Sequence, residues 1–237
     1  MLTERFQLSQ PVRQESLSSQ VYGILKDAVF TGKFKPGETL RELHLAKMFD
    51  VSQATIREAL VQLEHAGLVI RLQNRKTTVT SLTPEDVRDR LEMRIVLEDL
   101  AFRKAAARMS GKDLADLREL SDAIQSAIDA GSYPETTAAD MRFHHFVWEK
   151  SGSPALEKNL DQLTTPLFAF LGVLHAHGMA DLRVTKSHEK LVEALASRDD
   201  ATISAAVKEH ITGSYGAFLQ SGVKSLEALA PVETAGA

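Results

Sequence analysis

Apolar residues begin to recur at helical spacing after Ser16: Val21, Ile24, Leu25, Ala28 and Val29 form one stripe, and Gly32 follows where a C-terminal cap belongs. Lys35-Pro36-Gly37-Glu38 reads as a turn. A short second helix is then expected from about Arg41 to Phe49, with Leu43, Ala46 and Met48 or Phe49 facing inward. After the turn at Asp50-Val51, Ser52 stands as an N-cap before a third helix whose apolar face is Ile56, Ala59, Leu60 and Leu63, closed by Gly67. Two β-rich runs, Leu68 to Leu72 and Thr77 to Thr80, flank the polar stretch Gln73-Asn74-Arg75-Lys76. Three helices followed by a two-stranded ribbon outline a winged helix-turn-helix.

Thr83-Pro84-Glu85-Asp86 is a helix start, with proline at the first position and acids in the first turn. From there the pattern stays helical to about Gln220. Ser110-Gly111, Gly131 to Pro134, Ser151 to Pro154, Gly178 and Arg198-Asp199-Asp200 break it into helices, and Pro166 should kink or split the one that holds it. The expected fold is mainly α: a winged helix-turn-helix followed by an antiparallel bundle of six or seven helices. Met93, Met109, Phe143, Phe146, Phe168 and Phe170 are expected in its core. The layout read from the chain is a mobile arm at 1–15, a DNA-binding domain at 16–81, a helical domain at 84–220 and a flexible tail at 221–237.

Composition narrows the class. With 237 residues, 43% hydrophobic and 25% charged, and a mean hydropathy of -0.15, the chain reads as soluble and globular. It lacks any run of about 18 apolar residues, and its start lacks the apolar core of a signal peptide, so a cytoplasmic protein is expected. The absence of cysteine excludes disulfides, thiolate metal sites and a cysteine nucleophile. Charge is uneven: the first 80 residues hold 11 basic and 8 acidic side chains, the remainder 17 and 24. A basic head on an acidic body suits a nucleic-acid-binding module joined to a non-binding one.

The face of the third helix opposite its apolar stripe presents Gln53, Arg57 and Thr55 to a major groove. Ser52 and the first backbone amides suit a phosphate, and Arg75 and Lys76 at the ribbon tip suit phosphate or minor groove. Taken singly, each also fits a solvated helix face or a polar turn. In the body, Asp140 and His144 lie four apart and share a helix face. His188 and His210 each lie eleven residues from Asp199 at a helical reversal. In an antiparallel hairpin both imidazoles then stand about 16 Å from the turn, at one level and similar azimuth. Asp140, His144, His188 and His210 together would make a divalent metal site, for Zn²⁺ first, or for Ni²⁺, Mn²⁺ or Fe²⁺ if water fills the open positions. Surface or hydrogen-bonded histidines are the plain alternative. His145, His175 and His177 point elsewhere by their spacing.

The stretches Gly37-Glu38-Thr39-Leu40-Arg41-Glu42, Val51-Ser52-Gln53-Ala54-Thr55-Ile56-Arg57-Glu58-Ala59-Leu60 and Leu63-Glu64-His65-Ala66-Gly67-Leu68-Val69 resemble the N-terminal domain of GntR-type bacterial transcription regulators. Most relatives carry Arg followed by Thr-Pro after the serine, where this chain has Gln53-Ala54-Thr55, and many carry Arg-Gly at the wing tip, where it has Arg75-Lys76. Leu43 occupies the place of an additional DNA-contacting Arg found in some relatives. Because Gln suits adenine and Arg suits guanine, an A·T pair is expected where Arg-bearing relatives prefer G·C.

Arg94 to Glu98, Asp140 to His144, Ser187-His188-Glu189 and Lys208-Glu209-His210 resemble the FadR-type effector domain called FCD. The resemblance implies metal ligands at Asp140, His144, His188 and His210, and an effector carboxylate at Arg94, for which a salt bridge to Glu98 is the alternative. The implied protein is a homodimeric regulator, most simply a repressor, binding a double-stranded operator and a small organic acid, and not an enzyme. The competing readings are a metal-dependent hydrolase-like enzyme with Glu98, Asp140 or His145 as base, and a structural metal without an effector.

Overall fold

The computed structural model describes residues 15–72, 76–176 and 187–221. The head is built from α1 (Leu17–Phe30), β1 (Thr39–Leu40), α2 (Glu42–Phe49), α3 (Gln53–His65), β2 (Val69–Leu72) and β3 (Lys76–Val79). Ser16 and Ser52 cap α1 and α3 by accepting the N–H groups of Ser19 and Thr55, each at 3.1 Å. Gly67 ends α3 at φ +72°: its N–H donates to Glu64 and that of Leu68 to Leu63, each at 2.9 Å, the paired bonds of a Schellman cap that a positive φ makes accessible. Val21, Leu25 and Val29 of α1 close over Leu45 of α2, Ile56, Leu60 and Leu63 of α3, and Val69 and Val79 of the sheet.

The wing differs from the expected two-stranded ribbon. It is a three-stranded antiparallel sheet in the order β1-β3-β2, because Thr39 and Leu40 pair with Thr78 and Thr77. A two-residue strand has too few positions to show alternation. Two apolar assignments also turn outward: Leu43 is 56% exposed, and Ile24 is 53% exposed at the edge of the α1 stripe.

The body consists of α4 (Pro84–Ala106), α5 (Gly111–Asp129), α6 (Tyr133–Lys150), α7 (Pro154–Ala176), α8 (Ser187–Ser197) and α9 (Asp200–Ser221), six helices among the described residues. Capping boxes start α4 and α5, with Thr83 paired to Asp86 and Ser110 to Asp113. Phe102, Leu117, Ile124, Phe143, Val147, Leu195, Val207 and Ile211 meet in one core. Met93, expected inside, is instead 49% exposed on α4. Pro166 does not split α7, which runs unbroken through it. No described helix is long and apolar enough to cross a membrane.

Helix α7 also joins the two parts. Ala169 sits in the core of the head. A Cβ on Gly67 would lie 2.9 Å from Pro166 Cγ, and one on Gly172 would collide with the carbonyl oxygen of Phe30 at the end of α1. The head is thus seated on α7 by contacts that leave no room for a methyl group.

Candidate functional site

On the head, Ser52 and Gln53 are exposed and Thr55 is half-buried at the N-terminus of α3. The Ser52 hydroxyl is occupied by the Thr55 amide and lies 2.9 Å from the Thr55 hydroxyl. Both side chains therefore order the helix start and aim its remaining amides outward. Arg57 is exposed one turn on and is held by Glu42 of α2, with Nη2–Oε2 at 2.9 Å and Nε–Oε1 at 3.4 Å. Glu42 also draws Arg71 of β2 to 3.9 Å. Sequence reasoning did not see this clamp, since fifteen residues separate Glu42 from Arg57 and only the turn between the helices brings them together. It leaves the outer edge of the Arg57 guanidinium to face solvent. Lys76 is exposed at the start of β3, and Arg75 lies outside the described residues.

In the body, four side chains from three helices converge. One ligand atom from each of Asp140 and His144 of α6, His188 of α8 and His210 of α9 lies within 4.8 Å of the others. His188 Nε2 is 2.7 Å from Asp140 Oδ1, His144 Nε2 is 3.4 Å from the same oxygen, and His144 and His210 bring their Nε2 atoms to 3.1 Å. The three imidazoles are buried and Asp140 is partly open to solvent. The reversal between α8 and α9, with Arg198 at φ +55°, brings the His188 and His210 rings to 4.5 Å between centroids. His145, the neighbour of His144, turns away to Asp161 at 3.1 Å.

Around this cluster stand Glu98 and Arg94, and with them Phe168, Trp148 and Tyr215, to which sequence reasoning assigned no part in the site. Glu98 Oε2 is 3.0 Å from His144 Nδ1, an ion-pair distance without hydrogen-bond alignment. Glu98 Oε1 accepts from Arg94 Nε at 2.7 Å, so the salt bridge expected as the alternative forms, and Nη2 of the same guanidinium lies 3.3 Å from His144 Nε2. Phe168 of α7 lies beneath Arg94, 5.2 Å from ring centroid to guanidinium carbon. Trp148 and Tyr215 are buried beside them, at 1% exposure each.

Burial works against charge on Glu98, but Arg94 and His144 override it and hold the carboxyl at about 2. The same competition, decided by His188 and His144, keeps Asp140 well below the carboxylate range. Burial, then the neighbouring imidazoles, push His210 well below the histidine range, so it is neutral at pH 7. His144 is raised, because Glu98 and Asp140 outweigh its burial.

The donor set fits a divalent metal on this geometry. A tetrahedral site with bonds of about 2.0–2.1 Å has ligand–ligand edges of roughly 3.3 Å, and three of the separations, 2.7, 3.1 and 3.4 Å, bracket that edge in a set spread over at most 4.8 Å. Glu98 stands where a carboxylate orients a ligating histidine through its second nitrogen.

Residues 17–79 match the model of the bacterial regulatory proteins of the gntR family, and residues 89–213 match the FCD domain. The uncharacterized HTH-type transcriptional regulator YdhC of Bacillus subtilis is 31% identical over 200 residues, covering 83% of this chain and 86% of that one. The HTH-type transcriptional repressor RspR of Escherichia coli is 22% identical over 203 residues, covering 86% and 87%. Among solved structures, E. coli McbR/YncC superposes with a TM-score of 0.74 at 23% identity, over 88% of this chain and 99% of that one, a likeness of fold. The chain belongs to the GntR family of transcription regulators and carries an FCD domain behind its winged helix. It is a transcription regulator and not an enzyme, which sets aside the hydrolase-like reading.

Proposed function

We propose that the protein is a homodimeric repressor whose grip on a pseudo-palindromic operator is set by a small carboxylate or hydroxy-acid metabolite bound in the body beside a divalent metal. Asp140, His144, His188 and His210 would hold the metal, Zn²⁺ first, which would supply a Lewis-acidic anchor for the metabolite's oxygens. Arg94 would meet the metabolite carboxylate. Glu98 holds Arg94 by the 2.7 Å hydrogen bond and would orient His144 from its Nδ1 side, 3.0 Å away. On the head, Gln53, Thr55 and Arg57 would enter the major groove, the amides capped by Ser52 would take a phosphate, and Lys76 with Arg75 would meet backbone or minor groove.

The observation that carries this reading is the convergence of one carboxylate and three imidazoles inside a domain fused to a winged helix. Helix α7 offers the coupling: Phe168 lies under Arg94, while the next residue, Ala169, is packed into the head. A ligand that moves Phe168 would shift the seat of the head and change operator affinity at fixed half-site spacing. Repression is favoured by the likeness to a named repressor.

Fluorescence anisotropy of the full chain on DNA from its own upstream region tests the reading, with nonspecific DNA as control, after metal stripping and after Zn²⁺ loading. Selective binding that a panel of small carboxylates alters only in the loaded protein is expected. Equal weak binding to both DNAs would overturn the operator reading, and a carboxylate response indifferent to stripping would overturn the metal's part. Binding-site selection should return adenine opposite Gln53; a strict guanine would remove that residue from base readout.

A further inference from the structure

Between the head and the body lies a cleft of about 570 Å³, walled by α1 on one side and α6 on the other. That volume is in the range of small-molecule sites, which favour domain junctions. Both walls follow from helical spacing: Lys26 and Phe30 lie one turn apart on α1, and Ala138, Met141 and His145 lie three and four apart on α6. Met141, at 9% exposure, forms the floor, and Phe30 is half-buried on the facing wall. Helix α7 holds the cleft open. Phe30 at the end of α1 and Tyr133 at the start of α6 both close on Gly172, where a Cβ would strike the Phe30 carbonyl and lie 3.3 Å from Tyr133 Cε1. The two helix ends therefore keep a fixed spacing.

The charges of the cleft are not balanced among themselves. Lys26 is half-buried in the α1 wall with its ammonium 5.6 Å from the Phe30 ring centroid, and it forms no ion pair among the described residues. Asp161, whose carboxylate feels Lys26, is already held by His145 and Thr165, each at 3.1 Å. Arg142 adds a second cation on the α6 wall, while the acids Asp27 and Glu135 stand exposed at the rim, where water and salt screen them. A half-buried ammonium above an apolar floor is complementary to an anion that carries an apolar ring. We propose that this cleft binds a small aromatic carboxylate, with its carboxylate on Lys26 and its ring between Phe30 and Met141. Ring contact with Phe30 and sulfur contact with Met141 suit an aromatic body. The site is separate from the histidine cluster: α6 turns Asp140 and His144 to that cluster, and Met141 and His145 to the cleft. Because α1 buries Leu25 and Val29 in the core of the head, an occupant touches head and body at once and ties them together. The cleft requires neither the metal nor the operator, so its failure would leave both of those readings standing.

Phenylacetate and indole-3-acetate, titrated calorimetrically into the metal-stripped full chain, should each bind saturably with a dissociation constant between about 10 μM and 1 mM. 2-Phenylethanol, which lacks the carboxylate, should bind at least about 10-fold more weakly. Lys26→Gln should weaken both acids about 10-fold and leave the alcohol unchanged. Ala138→Phe fills the cleft from an exposed position and should abolish binding of all three with an unchanged thermal melt. The ring of the single tryptophan, Trp148, lies 4.7 Å from that of His145, so phenylacetate should also shift its fluorescence. With phenylacetate bound, hydrogen exchange should slow in both 26–31 and 134–145, as bridging of the two parts requires. Absence of saturable binding, acid binding that survives Ala138→Phe, a Lys26→Gln variant that weakens acid and alcohol alike, or protection confined to one helix would each overturn the proposal.

Discussion

The α3 face and the histidine cluster of the body are built on opposite principles. On α3 the polar side chains stand on the outside of an apolar core that does not depend on them: Ile56, Ala59, Leu60 and Leu63 are fully buried while Gln53 and Arg57 face water. In the body the polar groups are the interior. Arg94, Glu98, His144, His188 and His210 are all at or below 4% exposure, and each charge there is balanced by a neighbour. A surface site can change its residues at little cost to folding, whereas a buried network ties recognition to stability.

The largest effect that follows concerns Arg94. Arg94→Ala leaves the Glu98 carboxylate buried without its 2.7 Å partner, which should cost about 3–5 kcal/mol of stability, read from urea unfolding of the stripped protein. The paired change Arg94→Met with Glu98→Leu should recover much of that loss. If Arg94→Ala costs under about 1 kcal/mol, in the range of an ordinary substitution, the distinction between the two regions fails. Arg57→Ala should behave the other way: stability within about 0.5 kcal/mol of the wild type and operator affinity lower by roughly 10- to 100-fold. Anisotropy and unfolding measured on the same preparation separate the two outcomes.

The same contrast governs what the chain disclosed before folding. The inward face of α3 and its Ser52 cap were legible because they are local: a 3.6-residue period and a capping residue sit within one segment. The meeting of His188 with His210 was legible for a less usual reason, that equal arm lengths about a reversal fix the height of both rings. Glu98 was visible as the i,i+4 partner of Arg94 and as a candidate base beside the metal, but its contact with His144 depends on how α4 packs on α6. The Glu42 clamp on Arg57, the third strand at Thr39–Leu40 and the burial of Tyr215 have no periodic signature. Met93 misled because an apolar residue on a helix reads as core unless the packed face is known to lie elsewhere.

A middle-sized effect tests whether the head's order rests on local caps. Ser52→Ala removes the acceptor of the Thr55 amide and should destabilise the head by about 1 kcal/mol. Hydrogen exchange at the first turn of α3 should rise while amides of α5 and α6 keep their protection. A uniform rise across both parts would mean that head and body unfold as one unit through α7.

The smallest effect turns the comparison to pH. In the head α1 and α3 are capped by neutral serines, Ser16 and Ser52, whereas α4 and α5 of the body start on capping boxes closed by Asp86 and Asp113. Hydrogen bonds from the Thr83 side chain and backbone lower the Asp86 carboxyl, and Lys150, then Ser110, lower that of Asp113. A carboxyl depressed in the folded state contributes stability that is complete above its unfolded value and lost as pH falls through the folded one. The body should therefore weaken relative to the head below about pH 4. Asp86→Asn with Asp113→Asn should flatten that part of the acid-unfolding profile of α4 and α5, followed by residue-resolved exchange, and leave α1 and α3 unchanged. An unaltered profile in the double variant would place the body's acid sensitivity in its buried carboxylates, Glu98 and Asp140, instead of its helix starts.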